Sequence, residues 1–173
     1  MSKKALQVAQ VSETESSESI EALPTGDHLA LRLWLRLLAC HNLMEGELRT
    51  RLRDDFETTL PRFDLMSQLY RYPEGLRMRA VSQLLMVTGG NVTGLTDNLV
   101  KEGLVERRED PTDRRAYFIA LTPAGRAQFA KMAVAHEQWV MSLFSAMDET
   151  DQQQLCKLLG KLKSRLVEAR AAA

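Results

Sequence analysis

Apolar residues recur at steps of three, four and seven positions from about residue 31 onward, which is the spacing of one face of a helix. Leu31, Trp34 and Leu38 begin this pattern, with arginines between them. The pattern predicts a long first helix from about residue 27 to residue 55, with Asp27 as its N-cap. A second, shorter helix is predicted to begin at Pro61, because proline suits the first helical position.

Two short helices and a hairpin are predicted next, after a turn at residues 72–75 that contains proline and glycine. The helices are expected over residues 78–85 and 90–102, and Gly103 is well placed to end the second. Short apolar runs at 104–107 and 117–121 flank the polar loop EDPTDRR. These runs predict a β-hairpin with a long, charged tip.

The last third of the chain is predicted to be two helices. Thr122 and Pro123 form a strong helix start, and that helix should run to about Ala146. The final helix is expected to open near Asp148 or Thr150, where Thr150 and Gln153 have the spacing of a capping box. One apolar stripe then continues toward the end of the chain through Leu155, Leu158, Leu159, Leu162 and Leu166.

The charge of the chain is balanced in total but uneven along its length. The 173 residues carry 23 Lys+Arg against 23 Asp+Glu. Residues 1–26 are rich in Ser, Glu and Gln and lack apolar periodicity, which predicts a disordered acidic tail. Residues 71–126, in contrast, hold nine basic and seven acidic residues, including the arginine pairs 107–108 and 114–115. A neutral total can therefore hide a locally positive surface.

The composition also sets limits on location and chemistry. No apolar run approaches 18 residues and no signal segment opens the chain, so we expect a cytoplasmic protein without a membrane partner. There is no glycine-rich phosphate loop and no C-x-x-C or G-x-S-x-G motif, which argues against an enzyme and against a bound cofactor. Two distant cysteines and three widely spaced histidines give no metal-ligand pattern.

Two short helices joined by a tight turn and followed by a charged hairpin make a winged helix-turn-helix, whose second helix enters the major groove of DNA. The expected fold is mainly α with a small β-hairpin wing. Val92, Leu95 and Leu99 should pack inward from that second helix, with Asp97 and two glycines on the opposite face. Each glycine weakens an exposed helix by roughly 1 kcal/mol relative to alanine, and close approach of a partner to the backbone would explain them. The candidate DNA-binding residues are Thr88, Gly90, Asn91, Thr93, Gly94, Asn98 and Lys101 on the helix and Asp113, Arg114 and Arg115 on the wing.

The stretch LVKEGLVERREDPTDRRAYFIALTPAG resembles the MarR family of bacterial transcription regulators. The likeness covers about residues 28–170, and the family's Asp-x-Arg wing signature corresponds to Asp113 and Arg115. The resemblance implies that residues 27–60 and 123–173 form an obligate homodimer interface. It also implies that residues 61–122 bind double-stranded DNA, with two wings and two recognition helices on a pseudo-palindromic operator.

One departure from the family concerns the recognition helix. Many members carry Thr-Arg where this chain has Thr93-Gly94. A side chain that often contacts DNA is therefore missing, and base reading would rest on Thr88, Asn91, Thr93 and Asn98.

The resemblance further implies a repressor that leaves DNA when a small molecule binds between the dimer helices and the winged domain. The segment LRLWLRLLACHNL is similar to a branch of the family that is linked to the catabolism of aromatic acids. The expected effector is therefore an aromatic carboxylate such as a hydroxybenzoate, or an aromatic CoA thioester. Such an anion needs a cation or imidazole beside an apolar wall. The candidate effector-binding residues are Arg36, His41, Ser67, Tyr70 and His136, with His41 first among them, although a lone His or Arg on a helix is more often a structural interface residue.

Two alternatives remain open at this stage. The first is a redox-sensing repressor on the same fold that acts through Cys40 or Cys156, although both cysteines are predicted to be buried and inert because leucines surround them. The second is a helical interaction module whose hairpin binds another protein instead of DNA.

Overall fold

The computed structural model describes residues 28–109 and 117–172. The predicted acidic tail, the predicted N-cap Asp27 and the hairpin tip lie outside these residues. The fold class is as predicted, mainly helical with a small antiparallel sheet. The elements are α1 (Leu29–Phe56), α2 (Leu60–Arg71), β1 (Leu76–Arg77), α3 (Met78–Leu85), α4 (Gly89–Lys101), β2 (Val105–Glu109), β3 (Tyr117–Leu121), α5 (Pro123–Leu143) and α6 (Glu149–Ala171).

The chain divides into two units, residues 1–45 and residues 46–173. In the first unit, the described residues form only the N-terminal part of α1. The second unit holds the helix-turn-helix formed by α3 and α4, the sheet and helices α2, α5 and α6.

The sheet has three strands instead of the two that the sequence predicts. Its order is β1-β3-β2, all antiparallel, with Leu76 opposite Ile119 and Val105 opposite Leu121. Strand β1 is only two residues long, so no alternation of apolar and polar positions could reveal it. Strand β2 begins at Val105, one residue later than predicted, and extends to Glu109.

The core of the second unit forms where α2, α4, α5 and the sheet meet. Val92 and Leu99 of α4 are fully buried as predicted, but Leu95 is only half-buried. Thr96 is fully buried, which the helical wheel of apolar residues missed, and its hydroxyl donates to the Met78 sulfur at 3.7 Å. Other side chains that the core buries completely include Leu52, Leu65, Leu69, Val81, Ile119 and Met132.

The helix ends agree with the sequence where the capping residues are strong. The Thr122 hydroxyl accepts from the Gly125 N–H at 3.0 Å, and Pro123 opens α5 as predicted. Helix α5 ends at Leu143, earlier than the predicted Ala146. Of the two predicted starts of α6, Asp148 is confirmed: it is the N-cap and accepts from the Asp151 N–H at 2.8 Å. The capping box of Thr150 and Gln153 is wrong, because Thr150 lies inside the first turn.

A close junction fixes the end of α4 against the start of α5. Gly103 follows α4 with a φ of +73°, the left-handed conformation expected of a residue that ends a helix. The Thr122 hydroxyl donates to the Gly103 carbonyl at 2.7 Å, and the Thr122 N–H donates to the Leu104 carbonyl at 3.0 Å. A Cβ on Gly125 would lie 1.9 Å from the Leu104 carbonyl oxygen, so only glycine fits there.

Candidate functional site

The predicted DNA-binding side chains of α4 lie together on its solvent side, the α4 outer face. This face comprises Thr88, Gly90, Asn91, Thr93, Gly94, Asn98 and Lys101, which are all exposed. The Thr93 hydroxyl donates to the Gly89 carbonyl at 3.0 Å, so its oxygen lone pairs are what it can offer a partner. The wing residues Asp113, Arg114 and Arg115 lie outside the described residues and stay predictions.

The two glycines of the α4 outer face have no neighbour that excludes a side chain. A Cβ built on Gly90 or Gly94 meets nothing within 4 Å. Packing within the described chain therefore does not require glycine at either position. This is consistent with the explanation from the sequence, that a partner approaches the helix backbone at these glycines.

An ion pair joins the α4 outer face to the wing strand. The Arg107 guanidinium of β2 donates to the Asp97 carboxylate of α4, and it also lies over the Tyr117 ring of β3, 5.0 Å from the centroid. Sequence reasoning placed Asp97 on this face but gave it no partner. The two residues are ten positions apart in sequence and lie on different elements, so no helical or strand periodicity links them.

A second ion pair lies directly after the C-terminus of the helix. Both terminal nitrogens of Arg62 on α2 donate hydrogen bonds to the carboxylate of Glu102, the residue that follows α4 directly. These hydrogen bonds lower the pKa of Glu102 below its ordinary value. The Arg62 Nε is buried and has no hydrogen-bond partner within the described ranges. Because α2 also packs in the core, this pair sets the C-terminal end of α4 against a rigid element.

The neighbouring arginine of the wing strand has different partners. Arg108 pairs with Glu106 at 2.7 Å and donates to the Pro73 carbonyl at 3.4 Å. Side chains alternate between the faces of a strand, so Arg107 shares a face with buried Val105 while Arg108 shares the other with Glu106. The two arginines, which the sequence presents as one pair, therefore serve opposite faces of the wing.

Three of the five predicted effector residues lie on the facing helices α2 and α5 around an aromatic cluster. His136 stacks on Phe63 with ring centroids 4.5 Å apart, and Tyr70 contacts Phe129 at 4.9 Å. Ser67 is half-buried and lies one helical turn from Phe63 on α2. Arg126, which is not among the predicted effector residues, places its guanidinium 4.9 Å from the centroid of the Tyr70 ring. A cation and an imidazole thus flank an aromatic wall.

The other two effector candidates lie in the first unit. Arg36 and His41 are exposed on α1, and the His41 Nε2 is 3.3 Å from the Glu45 carboxylate. Their position relative to the aromatic cluster between α2 and α5 stays a prediction.

A separate cavity of about 930 Å³ lies beside the helix-turn-helix. Met78, Arg79 and Ser82 of α3 line it, together with Gly89 and Thr93 of α4. It contains none of the five predicted effector residues.

Both cysteines are exposed, so the prediction that they are buried is wrong for this chain. Cys40 lies on the exposed N-terminal part of α1, and Cys156 lies on α6, of which no described residue is buried. The leucines nearest to them along the chain are exposed or half-buried, and both thiols stay accessible.

Burial of His136 gives the fold a testable pH dependence. Desolvation lowers the pKa of His136 below its ordinary value, so the folded chain binds its proton less readily than the unfolded chain does. The stability that the neutral ring supplies is present above a pH of about 6.5, the ordinary histidine pKa, and is lost as the pH falls below it. We expect the melting temperature of the wild type to fall more between pH 7.5 and 5.5 than that of His136→Phe. Equal losses would show that His136 does not contribute.

Among the described residues, no helix combines the length and the apolar character that a membrane span requires. No group of three or more His, Cys, Asp or Glu side chains in residues 28–109 and 117–172 is arranged to hold a metal ion.

Comparison with known proteins agrees with this arrangement. The model of the MarR family matches residues 57–116. A MarR family transcriptional regulator from Silicibacter pomeroyi is 35% identical in its crystal structure, with a TM-score of 0.67 over 82% of this chain and 99% of that one. MepR of S. aureus, crystallised with DNA, is 25% identical, with a TM-score of 0.66 over 76% and 96% of the two chains. The transcriptional repressor MprA of Escherichia coli is 36% identical over 76 residues, 44% of this chain and 43% of that protein. The chain belongs to the MarR family of transcriptional regulators.

Proposed function

We propose that this chain is a homodimeric transcription regulator that binds a pseudo-palindromic DNA operator through the α4 outer face and the wing. The observation that carries the proposal is the composition of that face, where exposed hydroxyl, amide and ammonium groups surround two glycines that packing does not require. Such groups hydrogen-bond to base edges and phosphates. The complex of MepR with DNA supports the same use of the fold.

A selection experiment tests this proposal. We expect the full chain to enrich, from a random pool of DNA duplexes, a sequence with two inverted half-sites whose centres are about one helical turn apart. Enrichment of a single, asymmetric half-site would contradict the symmetric dimer. Failure to enrich any duplex would favour the alternative of a protein-binding module.

The dimer is proposed because no described residue of an apolar stripe on α6 is buried. The α6 leucine stripe, defined by Leu155, Leu158, Leu159, Leu162 and Leu166, includes no buried residue. In the first unit, Leu33 and Trp34 are likewise exposed. Exposed apolar surface of this extent marks an interaction site. We therefore assign residues 27–60 and 123–173 to dimerisation and residues 61–122 to DNA binding.

Gly94→Ala separates stability from DNA binding. The added methyl group meets no atom within 4 Å, so the gain in helix propensity should raise the free energy of unfolding by up to about 1 kcal/mol. The same methyl group would hold the helix away from the groove, and we expect operator affinity to fall at least about fivefold, a cost of roughly 1 kcal/mol. Thermal melting and fluorescence anisotropy measure the two effects. A more stable variant with unchanged affinity would remove Gly94 from the interface.

We further propose that the regulator is a repressor and that a small aromatic carboxylate or its CoA thioester releases it from DNA. The repressor MprA supports the first part. The aromatic cluster between α2 and α5 supports the second, because it brings the Phe63, His136 and Tyr70 rings together with the Arg126 guanidinium, a cation that attracts a carboxylate. These are the groups that an anionic aromatic molecule requires.

Titration of the protein–DNA complex with 4-hydroxybenzoate as the probe tests the effector site. We expect release of the DNA by the wild type and a weaker response in His136→Ala and Arg126→Ala. Arg79→Ala is the matched control, since Arg79 lines the separate cavity beside the helix-turn-helix. A response lost in Arg79→Ala and kept in the other two variants would move the effector site to that cavity.

Exposure of the two cysteines keeps the redox alternative as a second candidate. Under this alternative, peroxide would release the DNA and Cys40→Ser would abolish the release. Peroxide without effect on the wild-type complex would eliminate it.

A further inference from the structure

We propose that Arg107 binds a DNA phosphate and that Asp97 is the positioning residue that aims it. The inference deepens the proposed function and rests on it, because it adds a contact to the DNA backbone at the boundary between the α4 outer face and the wing. Neither residue is among the DNA-binding side chains that the sequence predicted.

The location of Asp97 brings the pair into the proposed interface. On a helix, residues three and four positions apart are neighbours on the surface. Asp97 is therefore adjacent to Gly94 and Thr93 on one side and to Lys101 on the other, all of which are exposed. The Arg107 guanidinium, which donates to the Asp97 carboxylate, lies at the edge of the same face.

Electrostatics explain why the two residues occur together. A carboxylate on a surface that faces DNA would repel phosphates unless a cation compensates its charge. Arg107 compensates Asp97, and both side chains keep about two fifths of their surface accessible, 40% and 44% respectively. The guanidinium has five N–H donors in a planar fork, so donors remain for a phosphate oxygen after the bond to Asp97 is made.

Two contacts fix the direction of the guanidinium. Asp97 holds it through a hydrogen bond and the Tyr117 ring supports it at 5.0 Å. A long side chain held in this way loses less conformational entropy when it binds a phosphate. Arg108 offers a matched control, because Glu106 and the Pro73 carbonyl hold it on the opposite face of β2.

The experiment compares binding to two DNA probes, the duplex that the wild type enriches from a random pool and a scrambled duplex of the same composition. We expect Arg107→Ala to weaken operator binding at least about tenfold and to reduce the salt slope by about one per protomer. Asp97→Asn should weaken operator binding about fivefold, although it removes a negative charge, and should not weaken binding to the scrambled duplex. Arg108→Ala should leave the affinities for the operator and for the scrambled duplex within about twofold of the wild type.

The double variant Asp97→Asn/Arg107→Ala decides whether Asp97 acts through Arg107. We expect its operator affinity to equal that of Arg107→Ala, because the group that Asp97 aims is already gone. If Arg107→Ala melts at a lower temperature than the wild type, Arg107→Gln is measured in its place, because glutamine keeps a polar side chain beside Tyr117. An unchanged salt slope in the arginine variants would overturn the phosphate contact, and tighter operator binding by Asp97→Asn would overturn the positioning role. Absence of DNA binding by the wild type would remove the proposed function and this contact with it.

Discussion

Gly125→Ala is expected to lower the free energy of unfolding by about 4 kcal/mol, the range of severe steric substitutions. The added Cβ would lie 1.9 Å from the Leu104 carbonyl oxygen and 3.1 Å from its Cα, and both atoms belong to backbone that cannot rotate away. The junction of α4, β2 and α5 must open to accept it. Because the hydrogen bond from the Thr122 hydroxyl to the Gly103 carbonyl lies at the same junction, we also expect loss of operator binding in the fraction that still folds. Chemical denaturation monitored by circular dichroism measures the change.

Gly94→Ala is the matched control for this prediction, since it adds the same methyl group in open space. The two substitutions should change stability in opposite directions. A loss below about 1 kcal/mol in Gly125→Ala would show that the junction accommodates a side chain, and the close approach of α5 to Leu104 would be incorrect.

Leu162→Glu is expected to convert the dimer to a monomer and to weaken operator binding by about 100-fold or more. No described residue of the α6 leucine stripe is buried, and in the proposed dimer a second copy packs on it, so a carboxylate at its centre would have to be buried without a partner. A monomer binds one half-site and loses the effective concentration that links the two recognition helices. Sedimentation velocity and fluorescence anisotropy on the enriched duplex test the two effects.

Ser164→Glu provides the control for this substitution. It adds the same charge on the opposite side of α6. There the Ser164 hydroxyl donates to the Gly160 carbonyl of the same helix at 3.2 Å. We expect this variant to stay dimeric. Dissociation by both variants would indicate a general effect of charge on α6, and dissociation by neither would remove the stripe from the dimer interface.

The sequence predicts the helices and the position of the candidate DNA surface because both depend on local patterns. The apolar spacing of Val92 and Leu99 orients α4, and the proline and glycine positions define where helices begin and end. Thr122 and Pro123 predict the start of α5 because the threonine hydroxyl caps the first turn and the proline ring suits the first helical position. The exposed residues of α4 then follow from the same periodicity.

Features that depend on contacts between distant segments could not be predicted. Strand β1 forms only because β3 offers it an edge, and two residues carry no pattern of their own. The pairs Asp97–Arg107 and Arg62–Glu102 join different elements, so spacing along the chain does not reveal them. The cysteines were misjudged for a related reason, since neighbouring leucines do not bury a thiol unless another segment covers them.

The central claim, that the α4 outer face and the wing bind DNA, is tested most directly by the salt dependence of binding to the enriched duplex. The chain has no net charge, so bulk attraction cannot supply the affinity and local arginines and lysines must do so. We expect the logarithm of the association constant to fall linearly with the logarithm of salt concentration, with a slope of about −5 or steeper for a dimer that contacts several phosphates. A slope near zero, or no binding at low salt, would contradict the claim.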